Sequence, residues 1–191
     1  SDSKALHIIG GDVVYKCLGK DTIRNEARFR ITFTMYRDSK SNGALFDDPA
    51  TFAVFKKSGS AYVFLRSLRI NVNNVKDIDI ETNNPCILVP VNVGVQSGVY
   101  EFEVTLPIIN DNYLIAYQRC CRNNTILNLV DPGSTGAAFT TEITPEAQNY
   151  CNNSPTFNGF PPVVICVNRP INFDHSATDI DGDSLVYEFC N

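Results

Sequence analysis

Apolar and polar residues alternate with a period of two through much of the chain. Between Ala27 and Tyr36, apolar residues alternate with arginine and threonine. From Val99 to Leu106, a similar run separates its apolar residues with glutamate and threonine. Because successive side chains of a strand point to opposite faces, both runs predict antiparallel strands with one face on a core and the other in water.

Other segments have weaker strand character and are separated by glycine, asparagine and proline turns. These segments are Asp12–Cys17, Thr51–Lys56, Tyr62–Ile70, Ile87–Val93, Tyr113–Arg119, Ala138–Ile143, Val163–Asn168 and Leu185–Phe189. A helical period is missing, apart from a short turn near Pro145–Asn149. Many short strands with such turns predict an all-β fold, namely an antiparallel Ig-like β-sandwich.

The composition changes near residue 152. Residues 152–162 are rich in asparagine and proline and predict a linker after an N-terminal sandwich spanning residues 1–151. Residues 163–191 hold about two strand candidates and an acidic loop, too little to bury a core of their own. We expect them to be the first strands of a second, truncated Ig- or cadherin-like β-domain. The alternative is that they complete the first sandwich.

Charge and hydropathy exclude several classes of partner. The 191 residues carry a net charge of −5 and have no cluster of lysine and arginine. Nucleic acid and anionic membranes are therefore not expected partners. No apolar run approaches the ~18 residues of a membrane span. The start of the chain has no apolar signal segment, so we expect that a signal peptide has already been cleaved.

The seven cysteines predict disulfides. They are Cys17, Cys86, Cys120, Cys121, Cys151, Cys166 and Cys190. No two have the Cys-x-x-Cys spacing and the chain has only two histidines, so a zinc site is not predicted. Single cysteines spread over a β-rich chain are typical of an oxidising compartment. We therefore expect a secreted protein, or one on the outer cell surface, although reduced core cysteines are the alternative. An odd count leaves one thiol free or paired outside this chain.

An acidic loop near the end of the chain predicts a calcium site. Asp179, Asp181 and Asp183 stand at alternate positions around a glycine. Ca²⁺ binds six to eight oxygen ligands, which such carboxylates can supply in part. The position where an EF-hand has its glutamate holds Phe189, so the loop is closer to those of cadherin-like domains. The alternative is a solvated acidic turn.

Candidate catalytic groups are weak, and no catalytic residue is predicted. His175 lies between Asp174 and Ser176, but adjacent residues on a strand point to opposite faces and cannot form a triad. A thiol nucleophile at Cys120 or Cys121 would need a histidine partner, and adjacent cysteines of exported β-proteins more often form disulfides. The run around these cysteines, residues 118–126, is interpreted as a stapled corner whose arginines bond loop carbonyls. The alternative is a ligand-binding edge.

Several motifs together resemble a known family. They are Ile9-Gly-Gly-Asp-Val-Val-Tyr-Lys-Cys17, Ile31-Thr-Phe-Thr-Met-Tyr-Arg-Asp38, Tyr117-Gln-Arg-Cys-Cys-Arg-Asn-Asn124, Pro161-Pro-Val-Val-Ile-Cys166 and Phe173-Asp-His-Ser-Ala-Thr-Asp-Ile-Asp-Gly-Asp-Ser-Leu-Val-Tyr187. In this order they resemble the N-terminal region of large Bacteroidota gliding-motility-associated cell-surface proteins, which are sorted by the type IX secretion system. The resemblance implies a preceding signal peptide, following Ig-, PKD- or cadherin-like domains, and contact with the secretion machinery during export.

Two positions depart from the family pattern. Ser39 and Gly94 stand where relatives often carry cysteines. If those cysteines pair with each other, their joint absence removes one bridge; if they pair elsewhere, two cysteines here are orphaned. The chain also contains two matches to the Bacteroidota O-glycosylation signal, with Thr22 and Ser184 as the acceptors.

These observations lead to three hypotheses for function. The first is a non-enzymatic adhesin or fibre module, the N-terminal domain of a large secreted protein used in attachment or gliding motility. Its partners would be the following domains of its own chain and a surface ligand or other copies. The second is a structural subunit of an extracellular filament. The third is a secreted carbohydrate-active or proteolytic enzyme.

Overall fold

A computed structural model describes residues 8–40, 43–79, 92–123 and 126–188. Its strands are β1 (Ile8–Asp21), β2 (Glu26–Asp38), β3 (Ala50–Ser58), β4 (Ala61–Ile70), β5 (Asn73–Ile78), β6 (Val95–Pro107), β7 (Tyr113–Arg119), β8 (Ala137–Ile143), β9 (Thr156–Phe157) and β10 (Ala177–Thr178). A 3-10 turn spans Pro132–Ser134, and helix α1 spans Pro145–Tyr150. In the residues described, no helix is both long and apolar enough to cross a membrane.

Two antiparallel four-stranded sheets form the body of the protein. The first sheet has the strand order β1-β2-β6-β5, and the second has the order β4-β3-β7-β8. The inner faces of both sheets contribute to one hydrophobic core. The predicted fold class, an all-β antiparallel sandwich, is confirmed.

The alternation of β2 explains how the first sheet packs. Phe29, Ile31 and Phe33 are fully buried, while the arginines and threonines between them point to the outer face. The neighbouring strand β6 of the same sheet has the same pattern in register, since Phe33 pairs with Tyr100. Apolar inner faces on both strands bury their side chains against the second sheet, as the period of two predicts.

Phe52 of β3 occupies the centre of the core. Its ring centroid lies 4.7 Å from that of Phe33, 5.0 Å from Phe102, 5.2 Å from Tyr117 and 5.5 Å from Tyr100. These rings come from both sheets, so Phe52 joins the two layers. Aromatic pairs at such separations add about 0.5–1.5 kcal/mol each beyond the area they bury.

The predicted strands at Val163–Asn168 and Leu185–Phe189 are wrong over the residues that the structure describes. Neither segment is a strand in that part of the chain. The two prolines just before Val163 have no backbone N–H to donate to a ladder. Strand β5, in contrast, was not predicted, because Asn73–Ile78 is largely polar. Of the predicted Ile87–Val93 strand, residues 87–91 lie outside the described ranges.

The C-terminal part of the chain joins neither large sheet. Strands β9 and β10 pair with each other in a separate two-stranded sheet. We call residues 156–175 the crossing segment, because Phe160 within it packs on Tyr36, on the outer face of the first sheet, with ring centroids 5.0 Å apart. That residues 163–191 open a second domain stays a prediction.

The edge of the first sheet is covered by the residues just before the crossing segment. The backbone N–H of Ser154 donates to the carbonyl of Tyr15 at 3.0 Å, and the Tyr15 N–H donates to the Ser154 hydroxyl at 2.8 Å. The Cys17 N–H donates to the Asn153 side-chain oxygen at 2.9 Å. A disulfide between Cys17 and Cys151 fixes this contact. An exposed edge strand invites pairing with other chains, so these bonds protect β1.

Candidate functional site

The crossing segment leaves two clefts above the outer face of the first sheet, both lined by Phe160. The larger has a volume of about 840 Å³ and lies over β2, β6 and β5. The smaller has a volume of about 620 Å³ and lies over β1 and β2. Volumes of 300–1,000 Å³ are typical of sites for small ligands, and an outer sheet face covered by a loop is a concave place for one.

The floor of the larger cleft is a row of side chains from three neighbouring strands. Ser97 of β6 pairs with Tyr36 of β2 on one side and with Lys76 of β5 on the other. Directly opposite residues of antiparallel strands share a face, about 4.5–5.5 Å apart. The core lies on the other side, because Tyr100 and Phe102 of β6 point inward. Hydroxyl, aromatic and ammonium groups therefore stand side by side.

The Ser97 hydroxyl is buried without a partner. The residue is 2% exposed, and its oxygen has no hydrogen-bond partner among the described residues. Leaving a buried hydroxyl unpaired costs about 1–3 kcal/mol. Native proteins rarely keep such a group without a reason, such as strain, a catalytic role, or a water molecule or ion bound there.

Tyr36 is held in place by Asp12. Its hydroxyl donates to the Asp12 carboxylate at 2.9 Å. Burial raises the pKa of the Asp12 carboxyl, and the hydrogen bond from Tyr36 opposes part of that rise. Burial also raises the pKa of Tyr36, and the nearby Asp12 charge adds to the effect. The tyrosine is therefore a neutral, fixed ring at physiological pH.

The two ends of the outer face differ in chemistry. Toward one end, Arg30 of β2 contacts Glu103 of β6 at 3.0 Å and Glu101 at 3.8 Å. Toward the other end, the same face carries Tyr36 and Val99 beneath the crossing segment. The charged end needs no cover, whereas the aromatic end gains from burial, which explains where the crossing segment lies.

Comparison with protein-family models, with curated proteins and with solved structures found no match to this chain. The resemblance to gliding-motility-associated proteins therefore stays a prediction.

The three aspartates of the predicted calcium loop act as hydrogen-bond acceptors. Asp181 accepts from the Asn153 backbone N–H at 2.6 Å and from its side-chain amide at 3.0 Å. Asp183 accepts from the Asn152 amide at 2.5 Å. Asp179 accepts from the backbone N–H groups of Asp181 and Asp183 at 2.9 and 3.2 Å. The loop thereby docks on the residues that cover β1.

The three carboxylates also act on Tyr15. Burial raises the pKa of the Tyr15 hydroxyl most, and the charges of Asp179, Asp181 and Asp183 raise it further. Over the described ranges, no group of three or more histidine, cysteine, aspartate or glutamate residues has a geometry that could hold a metal ion. Calcium at this loop stays a prediction.

The described cysteines are all in disulfides. Cys17 bonds to Cys151, and Cys120 bonds to its neighbour Cys121. Cys166 is also disulfide-bonded. The prediction of disulfides is thus confirmed for these residues. The candidates Cys86 and Cys190 lie outside the described residues.

The Arg-Cys-Cys-Arg run forms the stapled corner that the sequence suggested. Arg119 donates to the carbonyl of Leu45 at 3.2 Å and pairs with Asp47 at 3.2 Å. Arg122 donates through its guanidinium to the carbonyl of Gly136 at 3.2 Å. Both arginines therefore bond loop carbonyls, and this structural interpretation is confirmed.

The weak catalytic candidates have structural contacts. The His175 ring stacks on Phe157 at 4.6 Å and lies 5.6 Å from Phe173. The Asp174 carboxylate accepts from the Ser176 backbone N–H, and this hydrogen bond lowers the pKa of that carboxyl. Cys120 and Cys121 are bonded to each other, so neither is a thiolate nucleophile in this state.

The two glycosylation candidates are both on the surface. Thr22 lies in the turn between β1 and β2, and Ser184 follows the acidic loop. Both residues are exposed, so an enzyme can reach them. Their modification stays a prediction.

Sequence reasoning missed the cleft, although one signal was present. In the alternation of β2, Tyr36 is a large aromatic residue at a position of the polar face. An aromatic side chain on an outer face indicates that something covers it. Phe160 lies in the predicted linker, and nothing local in the sequence connects it to Tyr36. Ser97 and Lys76 are ordinary polar residues in the sequence, so neither indicates a cleft by itself.

Proposed function

We propose that this protein is a non-enzymatic adhesin module of the cell surface or extracellular space, working in attachment or gliding as part of a larger secreted protein. The observation that carries the proposal is the disulfide framework. All five described cysteines are oxidised, and one bridge joins residues 134 positions apart in a β-sandwich. Such a framework is typical of proteins that work in an oxidising environment.

The cleft fits the adhesin proposal better than an enzyme. A hydrolase needs a nucleophile, a base and an acid brought together. The described cleft residues offer a fixed tyrosine ring, an ammonium group, a buried hydroxyl and the carboxylates of Asp77 and Asp79, but no histidine or cysteine. This arrangement suits binding of a surface ligand. We propose export by the type IX system on the resemblance alone.

A filament subunit is the second candidate, and one observation favours it. Strand β4 is an edge strand of the second sheet. It exposes three consecutive apolar residues, since Val63 is 51%, Phe64 55% and Leu65 47% exposed. An apolar edge of this kind can pair with a strand of another copy. Concentration-dependent assembly of the purified protein would move this candidate ahead.

Calcium binding at Asp179, Asp181 and Asp183 remains part of the proposal. If the ion binds the folded loop, EDTA should lower the melting temperature and Ca²⁺ should restore it. Asp181→Asn removes one ligand charge but also disturbs the contact with Asn153. The native protein and the Asp181→Asn variant are therefore compared both in EDTA and in Ca²⁺. An equal melting temperature with and without the ion would end the calcium proposal.

Two measurements on producing cells test the adhesin proposal. An antibody against the sandwich should label intact cells, and deletion of the encoding gene should reduce attachment or gliding. The intact mass of the native protein, non-reduced and reduced, separates the two candidates. Hundreds of kilodaltons indicate a module of a giant adhesin, whereas a mass near 21 kDa favours the filament subunit. Labelling only after cell lysis would contradict both.

A further inference from the structure

We propose that the larger cleft is a binding site for a neutral saccharide, which stacks on Tyr36 and Phe160 and bonds to the hydroxyl of Ser97. This inference rests on the proposed adhesin function and names its ligand class. The cleft lies between the first sheet and the crossing segment, and its volume of about 840 Å³ accommodates more than one sugar ring.

The first argument is the unpaired hydroxyl. Ser97 is 2% exposed, it lines the cleft, and its hydroxyl has no partner among the described residues. It lies on the cleft side of β6 because side chains alternate along a strand and Gly98, the next residue, faces Phe46 of the core. A buried hydroxyl without a partner indicates a missing group that can donate or accept a hydrogen bond. A sugar hydroxyl can do both.

The second argument is the mixture of polar groups around the cleft. Lys76 supplies donors, Asp77 and Asp79 supply acceptors, and Asn172 supplies both. A ligand with many hydroxyl groups satisfies such a set. With one positive and two negative residues, the lining has a net negative charge, which disfavours a phosphate or carboxylate ligand. A purely apolar ligand would leave these groups unpaired.

The third argument is the aromatic lining. Tyr36 from the floor and Phe160 from the roof meet edge to face at 5.0 Å, and Phe173 also lines the cleft. The C–H groups on one face of a pyranose ring pack on aromatic faces, whose electron density is negative. Asp12 fixes the Tyr36 ring, so the surface is preorganised and binding orders few side chains.

An extended peptide is the main competing occupant. An extended peptide that binds by adding a strand needs a free sheet edge. The cleft lies over the face of the sheet, where the backbone groups of β2 and β6 are already bonded to each other. A ligand there is held by side chains alone. This favours a compact ligand rich in hydroxyl groups over a chain that needs backbone partners.

The test is binding of defined neutral oligosaccharides to the intact 191-residue protein. An array of immobilised gluco-, manno-, galacto- and xylo-oligosaccharides identifies an oligosaccharide that binds. Calorimetry then measures the affinity of the protein for it. Ser97→Ala should weaken binding at least fivefold while leaving the melting temperature unchanged or higher, because the hydroxyl it removes has no hydrogen-bond partner among the described residues. Lys76→Gln should weaken binding severalfold. Lys57→Gln, a matched change in β3 of the other sheet, should not.

Three outcomes would overturn the inference. They are no binding of any neutral oligosaccharide at millimolar concentration, unchanged affinity in both Ser97→Ala and Lys76→Gln, or stronger binding of uronate oligosaccharides or of peptides than of neutral sugars. The failure of this inference differs from the failure of the adhesin proposal. If the protein labels intact cells and its loss reduces attachment, absent sugar binding refutes only the ligand class.

Discussion

The bridge between Cys17 and Cys151 should provide a large share of the stability of the sandwich. The perturbation is the double variant Cys17→Ala/Cys151→Ala, which removes the bond without leaving a free thiol. The bond closes a loop with a sequence separation of 134 residues. In the chain-entropy relation, closing a loop of this length lowers the conformational entropy of the unfolded chain. This stabilises the folded protein by about 5 kcal/mol at 25 °C.

The loss should be visible both globally and at the sheet edge. For a chain of this size, about 5 kcal/mol corresponds to a fall in melting temperature of roughly 10–20 °C. In the double variant, the hydrogen of the Tyr15 N–H, which donates to Ser154 beside the bridge, should exchange with solvent faster than those of the amides of the central strand β2. Urea unfolding gives the free energy and its m-value, and hydrogen exchange reports the edge.

The second disulfide is a matched control. Cys120 and Cys121 are adjacent, so their bond closes a ring that restricts almost no additional chain. Cys120→Ala/Cys121→Ala should therefore cost less than about 1 kcal/mol. A loss below about 1.5 kcal/mol in the Cys17/Cys151 double variant, or an equal loss in both double variants, would refute the loop-length reasoning.

Three further predictions follow from other parts of the fold. Ser39→Cys/Gly94→Cys should form an additional bridge, detected by mass spectrometry without reduction, since a Cβ placed on Gly94 meets the Ser39 hydroxyl oxygen; two free thiols would contradict it. Phe52→Ala should cost about 3–5 kcal/mol in urea unfolding, and a cost below 2 kcal/mol would show that the core collapses around the cavity. Burial raises the pKa of Asp12 above 3.8, so its charge opposes folding at pH 7; Asp12→Asn should raise stability there, and the gain should vanish as the pH falls through 3.8.

The sequence predicted several strands and a short helix from local patterns. Tyr113–Arg119 has the same bounds in the structure as in the prediction, and the short turn near Pro145–Asn149 is helix α1. In α1, the Thr144 hydroxyl accepts from the Ala147 N–H, and Pro145 occupies the first turn. These are local signals, which can be recognised from adjacent residues in the sequence.

What the sequence could not predict depends on long-range contacts. The bonds from Asn153 to Cys17 and to Asp181 join residues 136 and 28 positions apart. No spacing rule connects them, because the partners meet only after the sheet has formed. The alternate spacing of the aspartates predicts metal ligands, whereas the bond from Asn153 to Asp181 depends on the folded chain. The cleft escaped prediction for the same reason, since its floor and roof come from distant segments.

The bridge at the edge of β1 also has a mechanical consequence. When the chain is pulled from the segments before Cys17 and after Cys151, the load passes through the sulfur–sulfur bond. Strands β2 to β8 all lie between these two cysteines, so the force bypasses them. The 134 residue steps from Cys17 to Cys151 hold about 44–48 nm of contour length, at 3.3–3.6 Å per residue, which only reduction can release. Under tension, an oxidised module keeps strands β2 to β8, while the parts outside the bridge, including β1 from Ile8 to Lys16, extend.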